Sequence, residues 1–386
     1  MRTSKNQSKL IWIGGAGFLA GSVCLLVALL QPEMEVAEME FPQIPSAVAD
    51  AEVYSDLTGL PIAASSKNAP AYCVQTPNGL DGARPQAGLD QAEVVFEAIA
   101  EAGITRFAAI YQNPSSAVIG PIRSLRLYYL QWDTPFDCTI VHAGGADDAL
   151  SAVRAGGYKD LTENYTYMYR GTAGNRLWNN LFTTASLLAQ MNTDRRYGGS
   201  NIKGFTRMTP DESLRNRIDT GANEKLVITE PSSGDTSKMT ASVTNVTLRF
   251  GNVASYNVKY AYDTATNSYL RSYANGVKHD IYVCPSENLG EVNPESVCTL
   301  KQLAPSVVVA MTVSEKKAWD NYHEDITTLG TGDAVIFQNG YAIKGRWEKN
   351  TVADQIRFYD STGAEIALAP GQTFVEAVPD YGGIDY

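Results

Sequence analysis

Six arginines in an acidic chain are the residues with the clearest potential for chemistry. They are Arg84, Arg106, Arg123, Arg126, Arg170 and Arg176, in a chain whose formal net charge is −11. A guanidinium group binds phosphate or carboxylate through two parallel hydrogen bonds. The series therefore predicts a site for an anionic ligand. The alternative is that each arginine pairs with an acidic residue of the protein, such as Glu97, Glu101 or Asp133.

Arg123 and Arg126 are three residues apart, a spacing that puts two side chains on one face of a helix. The helical spacing continues through Leu125, Tyr128, Tyr129 and Trp132. If this helix begins near Ile122, its first N–H groups add to the same anion site. We therefore expect both arginines on one side of a helix, as charge stabilisers if a reaction occurs.

A short apolar run at residues 138–141 leads into the sequence His-Ala-Gly-Gly. A buried strand that ends in glycines before a helix is a common ligand position in α/β folds. Gly144 and Gly145 allow the backbone to approach a ligand closely. His142 is the candidate proton-transfer group, and we expect it near the two arginines of the predicted helix. The alternative is a tight turn with a hydrogen-bonded core histidine.

A third group combines aromatic residues with arginine and asparagine. It comprises Tyr165, Tyr167, Tyr169, Arg170, Arg176, Trp178, Asn179 and Asn180. These residue types suit a ligand that carries a sugar. They also suit a packed loop, because aromatic residues are general core formers.

Several classes of function are excluded by composition and by missing motifs. The negative charge disfavours nucleic acid as a partner. The region after the N-terminal apolar run contains no GxGxxG, P-loop or GxSxG motif. With three histidines and no HExxH motif, we expect no metal and no cofactor. Oligomeric state and enzymatic activity stay open.

The spacing of apolar residues predicts two folded regions, because its period differs between the two halves of the chain. Residues 57–215 predict a mixed α/β (α+β) domain, in which residues 94–100 and 104–111 form either a hairpin, which we favour, or a helix and a strand. Residues 225–386 alternate apolar and polar positions and predict a mainly antiparallel β domain. Asn339-Gly340 and Thr362-Gly363 mark two hairpins there.

The N-terminus predicts a membrane anchor. Residues 10–30 carry no charge and span about 31 Å as a helix, the thickness of a bilayer core. Basic residues precede this run and glutamates follow it, which places residues 1–9 in the cytoplasm and the rest outside. Residues 31–56 read as an acidic extended linker. The alternatives are a cleaved signal peptide and lipidation at Cys24.

Four cysteines follow the predicted anchor, an even number that suits disulfides in an oxidising compartment. Cys284 and Cys298 flank a turn-rich segment, so we predict that these two are bonded. A pairing of Cys73 with Cys138 is left open, as is the alternative of four buried thiols.

An ordered series of motifs resembles the YerB-like family of bacterial envelope lipoproteins. The motifs are residues 83–89 (ARPQAGL), 103–107 (GITRF), 120–126 (GPIRSLR) and 142–145 (HAGG), after LTGL at 57–60. Residues 332–334, 345–347, 357–360 and 370–371 resemble the second module of that family. The resemblance covers residues 57 to 378 and implies a two-module ectodomain at a bacterial cell surface. Val23 departs from the lipidation signal that this family usually carries.

Together these features predict an extracytoplasmic protein of the bacterial envelope, held to the membrane by its N-terminal helix. We expect it to bind, and if it is an enzyme to process, an anionic glycan or a lipid-linked phosphate. The alternative is a non-catalytic scaffold that docks a protein partner.

Overall fold

The computed structural model describes residues 52–171, 178–217 and 240–386. The predicted cytoplasmic tail, the predicted anchor and most of the predicted linker lie outside these residues. Within them, no helix is both long enough and apolar enough to cross a membrane. All the described residues belong to one compact unit.

The first half of the described chain contains nine strands. They are β1 Glu52–Tyr54, β2 Pro61–Ala63, β3 Ala71–Pro77, β4 Val94–Glu101, β5 Ile104–Gln112, β6 Thr139–His142, β7 Lys159–Thr162, β8 Tyr169–Arg170 and β9 Leu181–Phe182.

The second half is richer in strands. They are β10 Thr240–Ser242, β11 Asn245–Arg249, β12 Val258–Asp263, β13 Ser268–Tyr273, β14 Asp280–Val283, β15 Thr299–Gln302, β16 Val307–Val313, β17 Glu315–Lys317, β18 Glu324–Ile326, β19 Gly330–Gln338, β20 Tyr341–Lys349, β21 Arg357–Asp360, β22 Thr373–Pro379 and β23 Gly383–Asp385.

The helices of the described residues are short. They are α1 Leu127–Asp133, α2 Asp147–Arg154, α3 Ala185–Arg195, α4 Pro210–Arg215 and α5 Pro294–Val297. Side-chain caps begin two of them: the Thr184 hydroxyl accepts from the N–H of Leu187, and Thr209 forms a capping box with Glu212. The first half therefore contains more strand and less helix than the predicted mixed α/β domain.

One sheet runs through both halves of the chain. Its order is β10-β20-β19-β16-β22-β4-β5-β3-β6-β7, with β21 beside β20. The halves meet where β22 and β4 pair in parallel, from Thr373 opposite Val94 to Glu376 opposite Glu97. The two regions that the sequence separates near residue 215 thus share one hydrogen-bonded sheet.

The central strands are buried on both faces, which explains their long apolar runs. All residues of β3 and β22 are buried. Val94 and Phe96 of β4 pack with α1 on one face, while Val95 packs on the other face. There the smaller sheet β13-β12-β11-β23 covers part of the large one, through a cluster that includes Phe250 and Phe337.

Several local predictions are confirmed. Strands β4 and β5 form the favoured hairpin, and β19 and β20 pair around Asn339-Gly340. The hairpin predicted around Thr362-Gly363 is partly present, because β21 is followed by a single bridge between Tyr359 and Glu365.

The structure contains two disulfides. Cys284 is bonded to Cys298, which confirms that prediction, and their Cα atoms are 4.3 Å apart. Cys73 is bonded to Cys138 across 65 residues, which answers the question that the sequence left open.

Candidate ligand-binding sites

Two of the six arginines share one carboxylate at the end of β4. Nη2 of Arg106 lies 2.8 Å from Oε1 of Glu101, and Nη2 of Arg126 lies 2.5 Å from Oε2. Burial raises the pKa of Glu101, but the two guanidinium groups outweigh burial and hold that pKa below its ordinary value. For this pair, the interpretation that the arginines pair with protein acids is correct.

Arg123 and Arg126 do not share a helix face. Helix α1 begins at Leu127, and Arg126 precedes it with an extended backbone. The N–H of Arg123 donates to the carbonyl of Gln75 (2.7 Å), so this stretch lies against β3. The helix prediction fails here because these backbone contacts hold the residues before Leu127 in an extended conformation. Among the described residues, no partner contacts the half-buried Arg123 guanidinium.

His142 is buried at the end of β6, and acceptors occupy both of its ring nitrogens. Nδ1 lies 2.7 Å from the carbonyl oxygen of Gly144, and Nε2 lies 2.9 Å from Oδ1 of Asp160. A carbonyl oxygen only accepts, so Nδ1 donates its hydrogen to Gly144. The ring thus fixes the turn at Gly144, where φ is +68°. Both ring nitrogens therefore have protein partners, and proton transfer by His142 stays a prediction.

The turn that His142 holds is adjacent to the stretch that carries Arg123 and Arg126. The N–H of Leu125 donates to the carbonyl of Gly144 (3.0 Å), and the N–H of Ala143 donates to the carbonyl of Arg123 (2.9 Å). A Cβ atom on Gly145 would lie 3.1 Å from the carbonyl oxygen of Leu125. A side chain at Gly145 would crowd this contact, so glycine suits the close packing of the two segments.

A cleft of about 220 Å³ opens beside this turn, and we call it the acidic cleft. Its walls are the starts of α1 and α2 and the turn that joins β17 to β18. The lining residues are Arg126, Leu127, Tyr128, Gln131, Gly145, Ala146, Asp147, Asp148, Ala318, Trp319, Asp320, His323, Glu324, Asp325 and Ile326. The lining contains five carboxylates and a single guanidinium, which already pairs with Glu101. This excess of negative charge does not suit a multiply charged anion.

A second opening of about 310 Å³, the Arg84 pocket, lies between the two halves of the chain. Its lining residues are Leu80, Arg84, Pro85, Tyr273, Asn275, Val277, Lys278, His279 and Asp280. The Arg84 guanidinium lies 3.6 Å from the ring centroid of Tyr273. Its Nε donates to Oδ1 of Asn78 (2.8 Å) and its Nη2 to the carbonyl of Ser255 (3.0 Å). These contacts hold the cation in one position.

The remaining predicted ligand residues fall elsewhere. Arg170 is exposed and bound by Glu163 at 2.6 Å, by the Tyr165 hydroxyl at 2.8 Å and by Asn180 at 2.8 Å. Arg176 lies outside the described residues. The third group from the sequence therefore provides a surface ion pair at Arg170, and neither opening is lined by it.

A fully buried polar network lies behind the Arg84 pocket. Arg271, on β13, is completely buried and contacts Glu97, on β4, and His279. Its Nε donates to the Tyr260 hydroxyl (3.0 Å), which donates in turn to Glu376 on β22. The network therefore joins residues from both halves of the chain.

Burial shifts the pKa values of this network. It raises the pKa of Glu376 well above its ordinary value, with a further rise from the neighbouring Glu97 carboxyl group. It also lowers the pKa of His279 far below its ordinary value, and Arg271 adds to that effect. Arg271 and Glu97 form a completely buried ion pair in this network.

Comparison with known proteins places the chain in a family. Residues 57–198 match the N-terminal domain, and residues 246–375 the C-terminal domain, of a protein family of unknown function, DUF3048. The chain belongs to the DUF3048 family. The YerB-like resemblance of its sequence motifs agrees with this assignment.

The relatives of this DUF3048 protein include YerB of Bacillus subtilis. The curated protein "Putative lipoprotein YerB" of strain 168 is 25% identical over 300 residues, which are 77% of this chain and 78% of YerB. A crystal structure of the YerB protein from Bacillus subtilis covers 86% of this chain and 100% of its own, with a TM-score of 0.66 and 22% identity. That structure shows that the fold is shared.

Sequence reasoning on the DUF3048 chain missed the buried network and the acidic cleft. One signal for the network was present, since Glu97 and Glu376 each interrupt an otherwise apolar strand. Such a carboxyl group must find a partner in the core. His323 and Trp319 had no comparable signal, because they lie in a polar turn whose position depends on the tertiary fold.

Proposed function

We propose that this DUF3048 protein is a membrane-anchored envelope protein that binds an anionic amphiphile, such as a lipid-linked phosphate, in the Arg84 pocket. The observation that carries the proposal is the state of Arg84. Among the described residues no carboxylate pairs with it, and burial lowers its pKa. An anionic ligand would supply the missing counter-charge.

The walls of the Arg84 pocket suit the apolar part of such a ligand. Leu80 and Val277 are 62% and 57% exposed, and Pro85 and the Tyr273 ring complete a mostly apolar lining. Lys278 adds a second, exposed cation at the rim. A phosphate bound beside Arg84 would leave its alkyl chain against these carbons, as in pockets that combine apolar walls with few polar groups.

The binding proposal is tested by calorimetric titration of the full-length protein in neutral-lipid nanodiscs with hexyl phosphate and with inorganic phosphate. Hexyl phosphate should bind about tenfold or more tightly, because burial of each methylene contributes about 0.8 kcal/mol. Arg84→Gln should weaken hexyl phosphate binding about tenfold or more, and Lys278→Gln less, because its ammonium is exposed. Higher salt should weaken binding in the wild-type protein.

Arg357→Gln is the matched control, since it removes an exposed arginine that pairs with Glu365 away from the pocket. Equal affinity for hexyl phosphate in Arg84→Gln and wild type would contradict the proposal. Lys278→Gln preserves the test if Arg84→Gln fails to fold. Absence of any phosphate binding would favour the alternative function, a scaffold that docks a protein.

The envelope location rests on the charge asymmetry around residues 10–30 and on the description of the Bacillus relative as a lipoprotein. Protease added to intact cells should digest the chain after residue 31, because the acidic flank follows the apolar run. Immunoblotting with an antibody against the C-terminal half measures this. Full protection in cells whose surface is accessible, with digestion only after lysis, would contradict an external location.

A further inference from the structure

We propose that the acidic cleft is a separate binding site for a neutral or amine-bearing saccharide, with Trp319 as its stacking platform. This inference does not rest on the proposed phosphate function, because the acidic cleft and the Arg84 pocket share no lining residue. It begins from a tryptophan whose side chain is 82% exposed at the edge of the cleft. An exposed indole beside polar groups is typical of surfaces that bind a ligand.

The turn that carries Trp319 is held in one conformation. Oδ1 of Asp320 accepts from the N–H groups of Tyr322 and His323, both at 2.9 Å. The N–H of Ala318 donates to the carbonyl of His323 (2.8 Å), which closes the turn. A platform that is already ordered loses little conformational entropy when a ligand binds.

His323 offers a ring nitrogen to the cleft. Its Nδ1 lies 2.6 Å from Oδ2 of Asp320, and the two N–H groups that Oδ1 accepts lower the pKa of Asp320 to about 2. The carboxylate therefore holds an imidazole hydrogen on Nδ1, and Nε2 is the ring nitrogen left for a ligand. Among the described residues, no hydrogen-bond partner occupies Nε2. A sugar hydroxyl, which both donates and accepts, could form a hydrogen bond with it.

The opposite wall provides both a donor and an acceptor. The Oε1 atom of Gln131 accepts from the Thr328 hydroxyl, which fixes the amide and leaves its NH₂ group as a donor. Asp147 at the start of α2 is exposed, and its carboxylate has no partner within the described chain. Nε of Arg126, which also lines the cleft, is buried without an acceptor. Sugar hydroxyls both donate and accept, so they match this mixture.

Charge decides the class of saccharide. The carboxylates of Asp320, Glu324 and Asp325 already have partners in His323, Lys317 and Lys316, whereas Asp147 does not. An amine on the sugar could pair with Asp147. A uronate would face the same carboxylate without a free guanidinium to offset it, because Arg126 is bound to Glu101. The expected order of affinity is amine-bearing, then neutral, then anionic.

The test is titration of the full-length protein in nanodiscs with three trisaccharides: the trimers of glucosamine, of N-acetylglucosamine and of galacturonate. The glucosamine trimer should bind most tightly and the galacturonate trimer least. Trp319→Ala should weaken binding of the first two about tenfold, because the stacking platform is lost. Asp147→Asn should weaken the glucosamine trimer about tenfold and leave the N-acetylated trimer nearly unchanged.

Tyr54→Ala is the control, because Tyr54 is an aromatic residue that is 50% exposed and does not line the cleft. Trp319 is so exposed that its removal should not affect folding, and unchanged thermal unfolding would verify this. The inference is overturned if no trisaccharide binds, if Trp319→Ala binds like wild type, or if the galacturonate trimer binds best. None of these outcomes changes the expected effect of Arg84→Gln on hexyl phosphate binding.

Discussion

An Arg271→Met variant is expected to lose about 3–5 kcal/mol of its free energy of unfolding, because it leaves the buried Glu97 carboxylate without its cationic partner. Arg271 and Glu97 are both completely buried. Methionine fills much of the same volume, so the loss reports the charge and hydrogen bonds more than a cavity. Denaturant unfolding of the full-length protein, with wild type measured in parallel, gives the difference in free energy.

A second substitution separates charge from packing. Arg271→Met combined with Glu97→Gln should recover about half or more of the lost stability, because no unpaired charge then remains in the core. Arg249→Met is the control for loss of an exposed arginine. Its partner Asp385 is exposed too, so the cost should be about 1 kcal/mol or less. Equal losses in Arg271→Met and Arg249→Met would contradict the role of the network.

Local elements of the fold could be predicted because their signals lie within a few residues. Asn339-Gly340 between alternating strands predicts the β19–β20 hairpin. The parallel pairing of β22 with β4 could not be predicted in this way. It joins residues that are about 280 positions apart along the chain, and only the tertiary fold specifies it.

The candidate sites also combine residues that the sequence indicates with residues that only the tertiary fold brings together. The sequence brought attention to Arg126 and Gly145, which do line a cleft, but three of the five carboxylates of that cleft come from a distant segment. Asp320 and Glu324 belong to the β17–β18 ribbon, nearly 200 residues further along the chain. Arg84 was one of six equivalent arginines until the structure showed which of them pair with acids. Residue type alone does not reveal which charge is already neutralised.

Spacing misled the prediction for Arg123 and Arg126. A separation of three residues fits a helix, but it fits an extended segment equally well when the backbone finds partners elsewhere. Here the carbonyls of Gln75 and Gly144 accept from the N–H groups of Arg123 and Leu125, respectively. Those hydrogen bonds replace the ones that a longer α1 would have supplied.

The last prediction concerns the Cys73–Cys138 disulfide, whose removal should cost about 4 kcal/mol by the loop-entropy relation. The bond closes a loop of 65 residues, whereas Cys284–Cys298 closes 14 and should contribute about 3 kcal/mol. Both cysteines of the longer loop are buried, at 0% and 5% exposure. They also lie where β3 pairs with β6, from Tyr72 opposite Thr139 to Val74 opposite Val141.

Alanine replacements of each pair allow a direct comparison, since alanine adds no polar atom to the core. Denaturant unfolding of Cys73→Ala/Cys138→Ala should give the larger loss, by about 1 kcal/mol, because the longer loop restricts the unfolded chain more. Loss of the buried sulfur atoms from the central sheet should increase that difference. A smaller loss than in Cys284→Ala/Cys298→Ala would mean that strand pairing, and not the covalent bond, holds β3 and β6 together.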